Sequence, residues 1–540
     1  MEVTGKVTLR NYRCFNWDNP ATLEFGNGFT ALVGANNSGK SAALRSIYEL
    51  RNIWPALRNA LSPATGYRAG VQPLGVADVA ELANDHDAEK FEVLIQISDS
   101  HQPRSLSELV AFLISAEYDV RAQLLTVKYF QAIDSTGNIQ TFDRTLLQTV
   151  AGTQPEATLL RYTDGRAVDF SKMFAFILDL HNSKYFPAFR NAINEGAGSY
   201  YDIPVGTALV GSWDVWKAGA VRAHKIAISR IEREIADLLG FRSLQINADQ
   251  SGKTFDVIIN DRPMKLYEVG AGVAQLIIVF AAALVHQPPY ILIDEPELSL
   301  HPSLQLSFLS TLGSYVKKGL LFSTHSIGLA RSTASRIFTV QRLQDGISSM
   351  SPLGEKTKNF TEWLGELSYS SRVELGCEGL ILVEGPSEVL CFQEFLRKLR
   401  KDHRFVLMQL GGASLINGGI APHLEEIKRL IDDPSKIHIV IDSEKRSADE
   451  PLASDREAFL TVCKSLGVNA WATERRATEN YFESNGIQKA LGNGYQPLEP
   501  YQKLKDAIKP WHKSNNWKIA KEMSLDDIRD TDLGRFFMEL

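Results

Sequence analysis

The sequence predicts an α/β protein built from two successive regions of mainly parallel β-sheet. Three observations indicate this fold class. An apolar segment, Gly28–Val33, runs directly into a glycine-rich loop that opens a helix. Short apolar strands alternate with helical segments in the middle of the chain, as in sheets with crossover helices. A second strand–helix–strand alternation begins at about residue 372.

The composition is that of an ordinary globular protein. The 540 residues are enough for about two to four domains, and apolar and charged residues make up 44% and 23% of the chain. The net charge of −6 excludes a basic field over the whole surface, so any nucleic-acid surface must be local. The four cysteines show no CxxC or Cys/His spacing, which argues against a zinc module and favours a reducing compartment.

The sequence lacks the apolar patterns that are typical of signal peptides and membrane spans. The first residues contain no apolar signal core, and no run of about 18 apolar residues is present. We therefore expect a soluble, cytoplasmic protein without a membrane partner.

The first 350 residues show short strands separated by helical segments. Val7–Asn11 and Ala21–Phe25 alternate as strands do, and Ser41–Trp54 has apolar residues at helical spacing. The less regular stretch that follows contains a predicted helix, Leu106–Ala116. The other predicted elements are the charged helix Lys217–Leu239, expected to project as an arm, and the strands Phe91–Ile97, Gln123–Ile133, Phe255–Ile259, Tyr290–Ile293, Gly319–Ser323 and Arg336–Val340.

The glycine-rich loop GANNSGKS fits the phosphate-binding pattern G-x-x-x-x-G-K-[S/T], and it lies between a strand and a helix as that pattern requires. Its glycines let backbone N–H groups turn toward phosphates, Lys40 supplies a charge at the β- and γ-phosphates, and Ser41 supplies an oxygen for Mg²⁺. The sequence therefore predicts an ATP–Mg²⁺ site. Its candidate residues in this loop are Gly34, Asn36, Asn37, Ser38, Gly39, Lys40 and Ser41.

A second half of this site is predicted where the apolar strand Tyr290–Ile293 ends in Asp294 and Glu295. Carboxylates at the C-terminal edge of a strand lie where an α/β sheet binds its ligand. We expect Asp294 to hold the hydration shell of Mg²⁺ and Glu295 to polarise the water that attacks the γ-phosphate.

Together these segments resemble the ABC-type ATPases of the recombination and chromosome-maintenance group. Leu298–His301 resembles the loop after their acidic strand, and His325 stands where they keep a γ-phosphate-sensing histidine. Glu268–Gln275, EVGAGVAQ, resembles their signature segment, although it departs from the usual LSGG. The resemblance implies that Gly270 and Gly272 reach the nucleotide of a partner subunit, so that ATP lies between the ATPase heads of a homodimer or homotetramer.

A second acidic site is predicted downstream. Glu384 closes the strand Gly379–Val383, and Glu388 starts the next helix, while Asp442 and Glu444 close another apolar strand. Carboxylates at the ends of adjacent parallel strands form an oxygen-rich site suited to Mg²⁺ or Mn²⁺, with Ca²⁺ also accommodated. Such a site can activate water and stabilise charge on a phosphoryl group.

The spacing resembles the TOPRIM domain of topoisomerases, primases and related nucleases, with Gly411-Gly412 as its middle element and Asp-x-Glu in place of the commoner Asp-x-Asp. An ABC-type ATPase followed by TOPRIM is similar to the OLD (overcoming lysogenisation defect) family of ATP-dependent nucleases. The resemblance implies that Glu479, in RATENYF, adds to the metal site and that Lys518 stabilises the scissile phosphate. It also implies that Glu384 serves as metal ligand or general base.

This resemblance gives the expected division of the chain. Residues 1–180 would form the first half of the ATPase with an inserted region. Residues 181–350 would form arm helices and the second half, and residues 372–540 the TOPRIM domain with a helical C-terminal region. The boundary is expected within Ser349–Ser371, and helices are expected at His423–Ile431, Tyr501–Ile508 and Trp517–Met523.

Two local basic stretches are candidate DNA surfaces. Arg397–Arg404 carries five Lys or Arg residues, and Tyr501–Lys521 interleaves lysines with Tyr501, Trp511 and Trp517. Phosphate contacts combined with aromatic stacking are suited to nucleic acid. A solvated helix face explains the first stretch equally well.

The resulting hypothesis is an ATP-regulated, metal-dependent DNA endonuclease of the OLD family. The resemblance implies antiphage defence, alone or with a partner such as a helicase or the reverse transcriptase of a retron with its RNA–DNA product. Two alternatives stay open. One is a recombination-type repair ATPase whose C-terminal domain only binds DNA, and the other is an ATP-driven sensor or clamp without nuclease activity.

Overall fold

The protein was analysed as a computed structural model. It describes residues 3–60, 67–99, 109–134, 139–142, 148–149, 159–161, 167–169, 171–188, 198–249, 251–297, 300, 302–343, 345–353, 378–402, 404–410 and 433–540. Among these residues, no helix is both long and apolar enough to cross a bilayer.

The chain alternates strands and helices throughout. In chain order the strands are β1 Val3–Arg10, β2 Ala21–Phe25, β3 Gly28–Val33, β4 Arg68–Gly70, β5 Lys90–Asp99, β6 Leu109–Asp119, β7 Leu124–Asp134, β8 Ile139–Phe142, β9 Gln148–Thr149, β10 Leu159–Arg161, β11 Ala167–Asp169, β12 Lys184–Phe186, β13 Gly198–Tyr200, β14 Ile203–Val205, β15 Leu244–Ala248, β16 Phe255–Ile259, β17 Arg262–Lys265, β18 Tyr290–Asp294, β19 Gly319–Thr324, β20 Arg336–Arg342, β21 Ser348–Pro352, β22 Gly379–Val383, β23 Phe405–Gln409, β24 Ile437–Ile441 and β25 Asn469–Ala472. The helices are α1 Lys40–Glu49, α2 Ile53–Ala60, α3 Ser171–Asn182, α4 Thr207–Ala218, α5 Arg222–Leu239, α6 Ala271–His286, α7 Pro302–Gly313, α8 Ile327–Thr333, α9 Pro386–Lys398, α10 Ser454–Ser465, α11 Ser484–Leu491, α12 Asn516–Glu522 and α13 Asp532–Glu539.

The first α/β unit is built on a sheet of order β12-β18-β19-β3-β20-β21, in which only the last pair is antiparallel. Strands β18 and β19 are buried at every residue, as expected of parallel strands covered by helices on both faces. The order places β19 between β18 and β3. The C-terminal ends of these three strands therefore meet at one edge of the sheet.

An antiparallel sheet of order β2-β1-β5-β6-β7-β4 packs beside it. The prediction of a helix at Leu106–Ala116 is wrong, because the described part of this segment belongs to β6. Apolar residues occur on both faces of the strand, so their spacing also matches a helix. Ile114, Ala116 and Tyr118 are fully buried, and so is Ser115, which lies at a register shift. Pairing with β5 and β7 identifies the strand.

The predicted arm Lys217–Leu239 is two helices rather than one projecting helix. Helix α4 ends at Ala218, and Gly219 in extended backbone separates it from α5. Helix α5 buries Ile228, Ile231 and Ile235 and packs against α6. The segment is therefore part of the core of the first unit. The strand predicted at Phe255–Ile259 also lies outside the parallel sheet, in the antiparallel sheet β15-β16-β17.

The second α/β unit has a parallel sheet of order β23-β22-β24-β25. Helix α9 packs against β23 and against α12, and α9 also contacts α8 of the first unit. Phe29 of β3 lies 6.1 Å from Trp517 of α12, measured between ring centroids. The hydrophobic core is thus continuous between the two units.

Some predicted features fall outside the described residues, namely Gly411-Gly412, the helix His423–Ile431 and most of the boundary segment Ser349–Ser371. Of the two predicted C-terminal helices, Trp517–Met523 corresponds to α12. The other, Tyr501–Ile508, contains only a single 3₁₀ turn at Leu504–Asp506.

Candidate functional site

The glycine-rich loop follows β3 and ends where α1 begins at Lys40. Two of its residues have the left-handed backbone that turns the chain, Asn37 with φ 59° and Gly39 with φ 108°. A side chain at Gly34 would place its Cβ 2.1 Å from the carbonyl oxygen of Val340. The loop therefore requires glycine at position 34 for packing and favours it at 39 for conformation.

Lys40 points into this loop and is almost fully buried, at 3% exposure. Its ammonium group donates hydrogen bonds of 2.8 Å to the carbonyl oxygens of Gly34 and Ala35. Burial lowers the pKa of Lys40, an effect opposed by the carboxylates of Glu295 and Asp294. The strand order thus assembles both halves of the predicted nucleotide site around one lysine.

Asp294 is the last residue of β18 and lies beside the loop. Its carboxyl accepts hydrogen bonds from the hydroxyls of Ser323 and Ser41. Burial raises the pKa of Asp294, while these two hydrogen bonds lower it. The contact with Ser41 brings together the two side chains predicted to hold Mg²⁺. A serine hydroxyl and a carboxylate are oxygen donors of the kind that Mg²⁺ prefers, so the residues fit this ion.

Glu295 and His325 form the next part of the site. His325 Nε2 lies 3.0 Å from Glu295 Oε1, and Glu295 has a left-handed backbone with φ 47°. Glu297 holds this arrangement in place, because its carboxylate accepts hydrogen bonds from the Thr324 hydroxyl at 2.7 Å and from the His325 backbone N–H at 3.1 Å. Burial raises the pKa of Glu297. The predicted water-polarising glutamate and the predicted sensor histidine are in contact.

These residues surround a cavity of about 600 Å³. It is lined by Asn36, Asn37, Ser38, Gly39, Lys40, Ser41, Ala42, Ala188, Asp294, Glu295 and Arg342. Arg342, at the end of β20, was not predicted, and no motif marks it. Gly270 and Gly272 begin α6 and do not line this cavity. Helix α6 is linked to it by Gln275, whose amide donates to the Pro296 carbonyl oxygen at 3.5 Å.

The second site lies at the carboxyl edge of the second parallel sheet. Glu384 follows β22 and Asp442 follows the neighbouring β24, so the register places both at the same edge. The Glu384 carboxylate accepts a hydrogen bond from the backbone N–H of Asp442. Asp442 Oδ1 in turn accepts from the backbone N–H of Thr478 at 3.0 Å, which brings the segment containing Glu479 to the same edge.

Four acidic residues, Glu384, Glu388, Asp442 and Glu479, make up what we call the acidic cluster. Burial raises the pKa of Asp442 well above its ordinary value, and the charges of Glu388, Glu479 and Glu384 raise it further. The pKa values of Glu384 and Glu388 are raised for the same two reasons. Mutual repulsion among buried carboxylates is the electrostatic signature of a site that binds a cation.

Two basic side chains that were not predicted from the sequence contact this cluster. Lys513 Nζ lies 2.8 Å from Glu479 Oε1, and Arg456 Nη2 lies 3.2 Å from Glu384 Oε1. Burial lowers the pKa of Lys513, but the charges of Glu479, Glu388 and Asp442 together raise it above its ordinary value. The sequence offered one hint of Lys513, which lies five residues before Lys518, the lysine predicted to contact the scissile phosphate.

Two predicted members of the site lie elsewhere. Lys518 is held near the ring of Trp517, at 5.8 Å from its centroid, and burial alone lowers its pKa. The charges of Glu479, Glu388 and Asp442 act on Lys513, whereas burial is the cause of the pKa shift at Lys518. Glu444 has a left-handed backbone, and its carboxylate pairs with Arg476 on the surface. The carboxylate of Glu444 thus pairs with Arg476, whereas that of Asp442 accepts a hydrogen bond from Thr478, so these two predicted ligands have different partners.

The donor types of the acidic cluster fit a divalent metal ion, and Oε2 of the buried Glu479 receives no hydrogen bond within the described residues. Within the part of the chain that the structure describes, however, no three His, Cys, Asp or Glu residues are arranged to hold a metal ion. The Lys513 ammonium supplies positive charge to the cluster instead.

Several residues of the two candidate DNA surfaces make contacts inside the protein. Trp511 and Trp517 are 7% and 1% exposed, and both belong to the hydrophobic core. In the other stretch, Arg397 pairs with Glu234 at 2.6 Å, and Lys398 donates to the Lys521 carbonyl oxygen at 2.6 Å. The prediction that these tryptophans stack on bases is wrong, because their rings pack in the core between the two units.

Comparison with known proteins identifies the first site. A family model described as "AAA domain, putative AbiEii toxin, Type IV TA system" matches residues 174–331, and another, described as "AAA domain", matches residues 6–47. The chain is 27% identical over 118 residues to the peptidoglycan transport ATP-binding protein YejF of Agrobacterium fabrum. This match covers 20% of the chain and about a fifth, 21%, of the length of that relative.

Solved structures of SMC heads are also similar. The SMC head domain from Thermotoga maritima matches 65% of this chain and 98% of its own, with 14% identity and a TM-score of 0.29. The Smc head of Pyrococcus furiosus with an extended coiled coil, bound to the C-terminal domain of ScpA, matches 69% of this chain and 100% of its own, with 14% identity and a TM-score of 0.34.

The two matched family segments contain the phosphate-binding loop and the acidic strand that the sheet brings together. The chain therefore contains an α/β P-loop ATPase domain of the AAA type.

Proposed function

We propose that the chain is an ATP-regulated, divalent-metal-dependent DNA endonuclease of the OLD type, with its second α/β unit as a TOPRIM domain. One observation carries this proposal. Carboxylates at the ends of β22 and β24, at the start of α9 and in the segment around Glu479 converge at one sheet edge, and their charges raise the pKa values of Glu384, Glu388 and Asp442. Such repulsion destabilises the folded protein. A cluster of this kind is therefore better explained by the binding of a cation than by a contribution to the stability of the fold.

At the first site, Lys40 and the loop N–H groups bind the phosphates of ATP, and Ser41 and Asp294 would hold Mg²⁺. Glu295 accepts the proton of the attacking water, and His325, hydrogen-bonded to Glu295, orients that carboxylate. In this proposal Gly270 and Gly272, at the start of α6, complete the cavity of a second copy of the chain. The active form is thus a homodimer or a higher homo-oligomer.

At the second site, Asp442 and Glu479 would hold Mg²⁺ or Mn²⁺, with Glu384 and Glu388 beside them. The ion supplies charge neutralisation and an acidic water at the phosphodiester. Glu384 is 20% exposed in its side chain and is the member best placed to accept a proton from that water. Lys513, whose side chain is 52% exposed, contacts the scissile phosphate from the open side of the cluster.

A role in antiphage defence is part of this proposal, with DNA as the substrate. A helicase, or a retron reverse transcriptase with its RNA–DNA product, is the kind of partner that an OLD-type nuclease would serve. Co-purification from the native host, followed by sequencing of bound nucleic acid, tests this part of the proposal independently of the catalytic assay.

One observation favours a second candidate function. Lys513 already neutralises part of the acidic cluster, and the described carboxylates are not arranged to hold a metal ion. The same site could then bind DNA phosphates through Lys513 without cutting, as in an ATP-driven clamp.

Nicking of supercoiled plasmid in Mg²⁺ or Mn²⁺ separates the two functions. The nuclease proposal predicts nicking by the wild type and its loss in Glu384→Ala. The matched control is Glu378→Ala, at the opposite end of the same strand, where Glu378 pairs with Arg404 on the surface. Retention of metal-dependent nicking by Glu384→Ala, at the wild-type rate, overturns the assignment of this site. DNA binding without any nicking by pure wild type supports the clamp.

A further inference from the structure

A buried ionic hub joins the two units at Glu234, a residue of α5 that is 7% exposed. Its carboxylate accepts hydrogen bonds from Arg397 Nη2 at 2.6 Å and from Lys521 Nζ at 2.9 Å, both from the second unit. It also accepts one from the hydroxyl of Tyr315 in the first unit. A single carboxylate of the ATPase side is therefore shared by two cations of the other unit.

Each of these cations lies at one end of a helical segment that reaches the acidic cluster at its other end. Arg397 lies near the end of α9, and Glu388 lies in the first turn of that helix. At about 1.5 Å per residue these two positions are about 13 Å apart along the axis. Lys521 lies in the last turn of α12, which continues from the 3₁₀ turn that begins at Lys513.

The two helical segments form one packed pair. Helix α9 contacts α12, and Ser387 of α9 is tied to the start of the other segment by two hydrogen bonds. Its hydroxyl donates to the Lys513 carbonyl oxygen at 3.0 Å and accepts from the Asn516 amide at 3.2 Å. Glu388 and Lys513 are thus fixed to each other near the acidic cluster, while Arg397 and Lys521 are fixed to Glu234.

The hub also lies close to the ATPase machinery. Helix α5 packs along α6, whose N-cap residue is Gly270. Gln275 of α6 donates to the carbonyl oxygen of Pro296, immediately after Glu295. A displacement of α6 during ATP binding would therefore reach Glu234 through one helix–helix contact.

We propose that Glu234 is a positioning residue that couples the ATPase domain to the acidic cluster by holding the distal ends of α9 and α12. Through these two helices it sets the positions of Glu388 and Lys513. Because protein elements are rigid over one helix length, a shift of the hub moves the other ends of the helices. This inference rests on the proposed function for its catalytic consequence, but the coupling itself can be measured without any cleavage.

The carboxylate of Glu234 carries a negative charge at neutral pH. Burial raises its pKa, but Lys521 and Arg397 together lower it to about 2. The carboxylate is thus ionised at neutral pH. Glu234→Gln keeps the shape of the side chain and removes the charge on which both ion pairs depend.

The test is hydrogen exchange of the full-length protein with and without Mg²⁺-ATP, read at peptides covering residues 384–390 and 510–516. Wild type is expected to change its exchange rate at both peptides by at least about fivefold, the lower end of typical allosteric coupling. Glu234→Gln is expected to bind ATP like the wild type and to lose this response. If Glu234→Gln keeps the wild-type response at both peptides, or if the wild type shows no response, the inference is wrong.

Glu232 provides a matched control on the same helix. Its carboxylate accepts from Lys217 Nζ at 2.7 Å and from the Ile246 backbone N–H at 2.8 Å, both within the first unit. Glu232→Gln therefore loses comparable bonds but is expected to keep the ATP response. If Glu234→Gln does not fold, Lys521→Gln removes one of the two cations that contact Glu234. Loss of the ATP response in Lys521→Gln then supports the inference, and a wild-type response contradicts it.

Plasmid nicking separates this inference from the proposed function. If the wild type nicks DNA and the nicking rate of Glu234→Gln does not change with ATP, the proposed nuclease and the coupling through Glu234 are both supported. If the wild type never nicks DNA, the proposed nuclease fails, while the exchange response still decides whether Glu234 couples the two sites.

Discussion

The ammonium group of Lys513 lies 2.8 Å from Glu479 Oε1, where a half-exposed cation covers a carboxylate side chain that is 2% exposed. Because the neighbouring carboxylates of Glu388 and Asp442 act on the same ammonium, Lys513 is the main counter-ion of the acidic cluster. Its position at the solvent side means that a metal ion or a phosphate approaching the cluster meets Lys513 first.

Replacing Lys513 by alanine is expected to lower the metal-free thermal stability, since the buried carboxylates lose their counter-ion. The cost should stay below the about 3–5 kcal/mol of a fully buried pair, because half of the lysine side chain is in solvent. Added Mg²⁺ or Mn²⁺ should raise the melting temperature of Lys513→Ala more than that of the wild type. Thermal unfolding with a divalent-ion titration measures this, and no rise of the melting temperature in either protein would show that no metal enters the cluster.

Asp442→Asn is expected to make the protein more stable at neutral pH and to abolish nicking. The pKa of Asp442 is raised in the fold, so the folded state binds more protons than the unfolded state between the two pKa values. Stability contributed by this group therefore falls as pH rises through that window. Asparagine keeps the Oδ1 that accepts from Thr478 and removes the charge.

The gain for Asp442→Asn should be on the order of 1 kcal/mol at pH 7–8 and should shrink as the pH is lowered toward 4. Denaturant unfolding at several pH values measures it. A loss of stability at pH 8 would show that the carboxylate of Asp442 is stabilising, contrary to the repulsion described here.

Glu295→Gln is expected to slow ATP hydrolysis by about 10²–10⁴-fold with little effect on ATP binding, because the amide cannot accept the proton of water. Glu297→Gln is the comparison variant, since Glu297 supports the position of His325 without facing the cavity lining. Steady-state hydrolysis and equilibrium binding of ATP distinguish them. Rapid hydrolysis by Glu295→Gln would remove Glu295 from its assigned role.

Trp517→Ala is expected to destabilise the protein by about 3–5 kcal/mol, the usual cost of deleting a buried tryptophan. The ring is 1% exposed and packs against Phe29 of the other unit. Lys509→Ala, at an exposed lysine that lies over the Tyr495 ring, should have little effect. Denaturant unfolding gives both values, and a stable Trp517→Ala protein with weakened DNA binding would restore the stacking hypothesis.

The sequence predicted the strands at Ala21–Phe25 and Gly379–Val383 to the residue, because the first alternates apolar and polar residues and the second is a short apolar run. The prediction of a helix at Leu106–Ala116 was wrong, since apolar residues on both faces of strand Leu109–Asp119 hide the period of two. Residues that join distant segments could not be predicted at all. Neither Arg456 nor Glu234 belongs to a local motif, and each matters only through the partner that the fold brings to it.

For the candidate sites, spacing located the glycine-rich loop and Asp294, because a strand–loop–helix pattern fixes where such residues lie. It failed at Glu444, whose φ of 57° breaks the alternation on which the prediction depended. The mixture of basic and aromatic residues in Tyr501–Lys521 suggested a DNA-binding surface. Trp517 is instead internal, because α12 packs between the two units.

In the proposed mechanism, ATP bound at the first site regulates phosphodiester cleavage at the second. This regulation is tested most directly by the rate of supercoiled-plasmid nicking in Mg²⁺, with and without ATP, by wild type and by Lys40→Ala. Lys40→Ala should bind ATP at least about tenfold more weakly, a loss of about 1.4 kcal/mol or more. We expect ATP to change the wild-type nicking rate and to leave that of Lys40→Ala unchanged. An absence of nicking by the wild type, or the same ATP response in both proteins, would contradict the account.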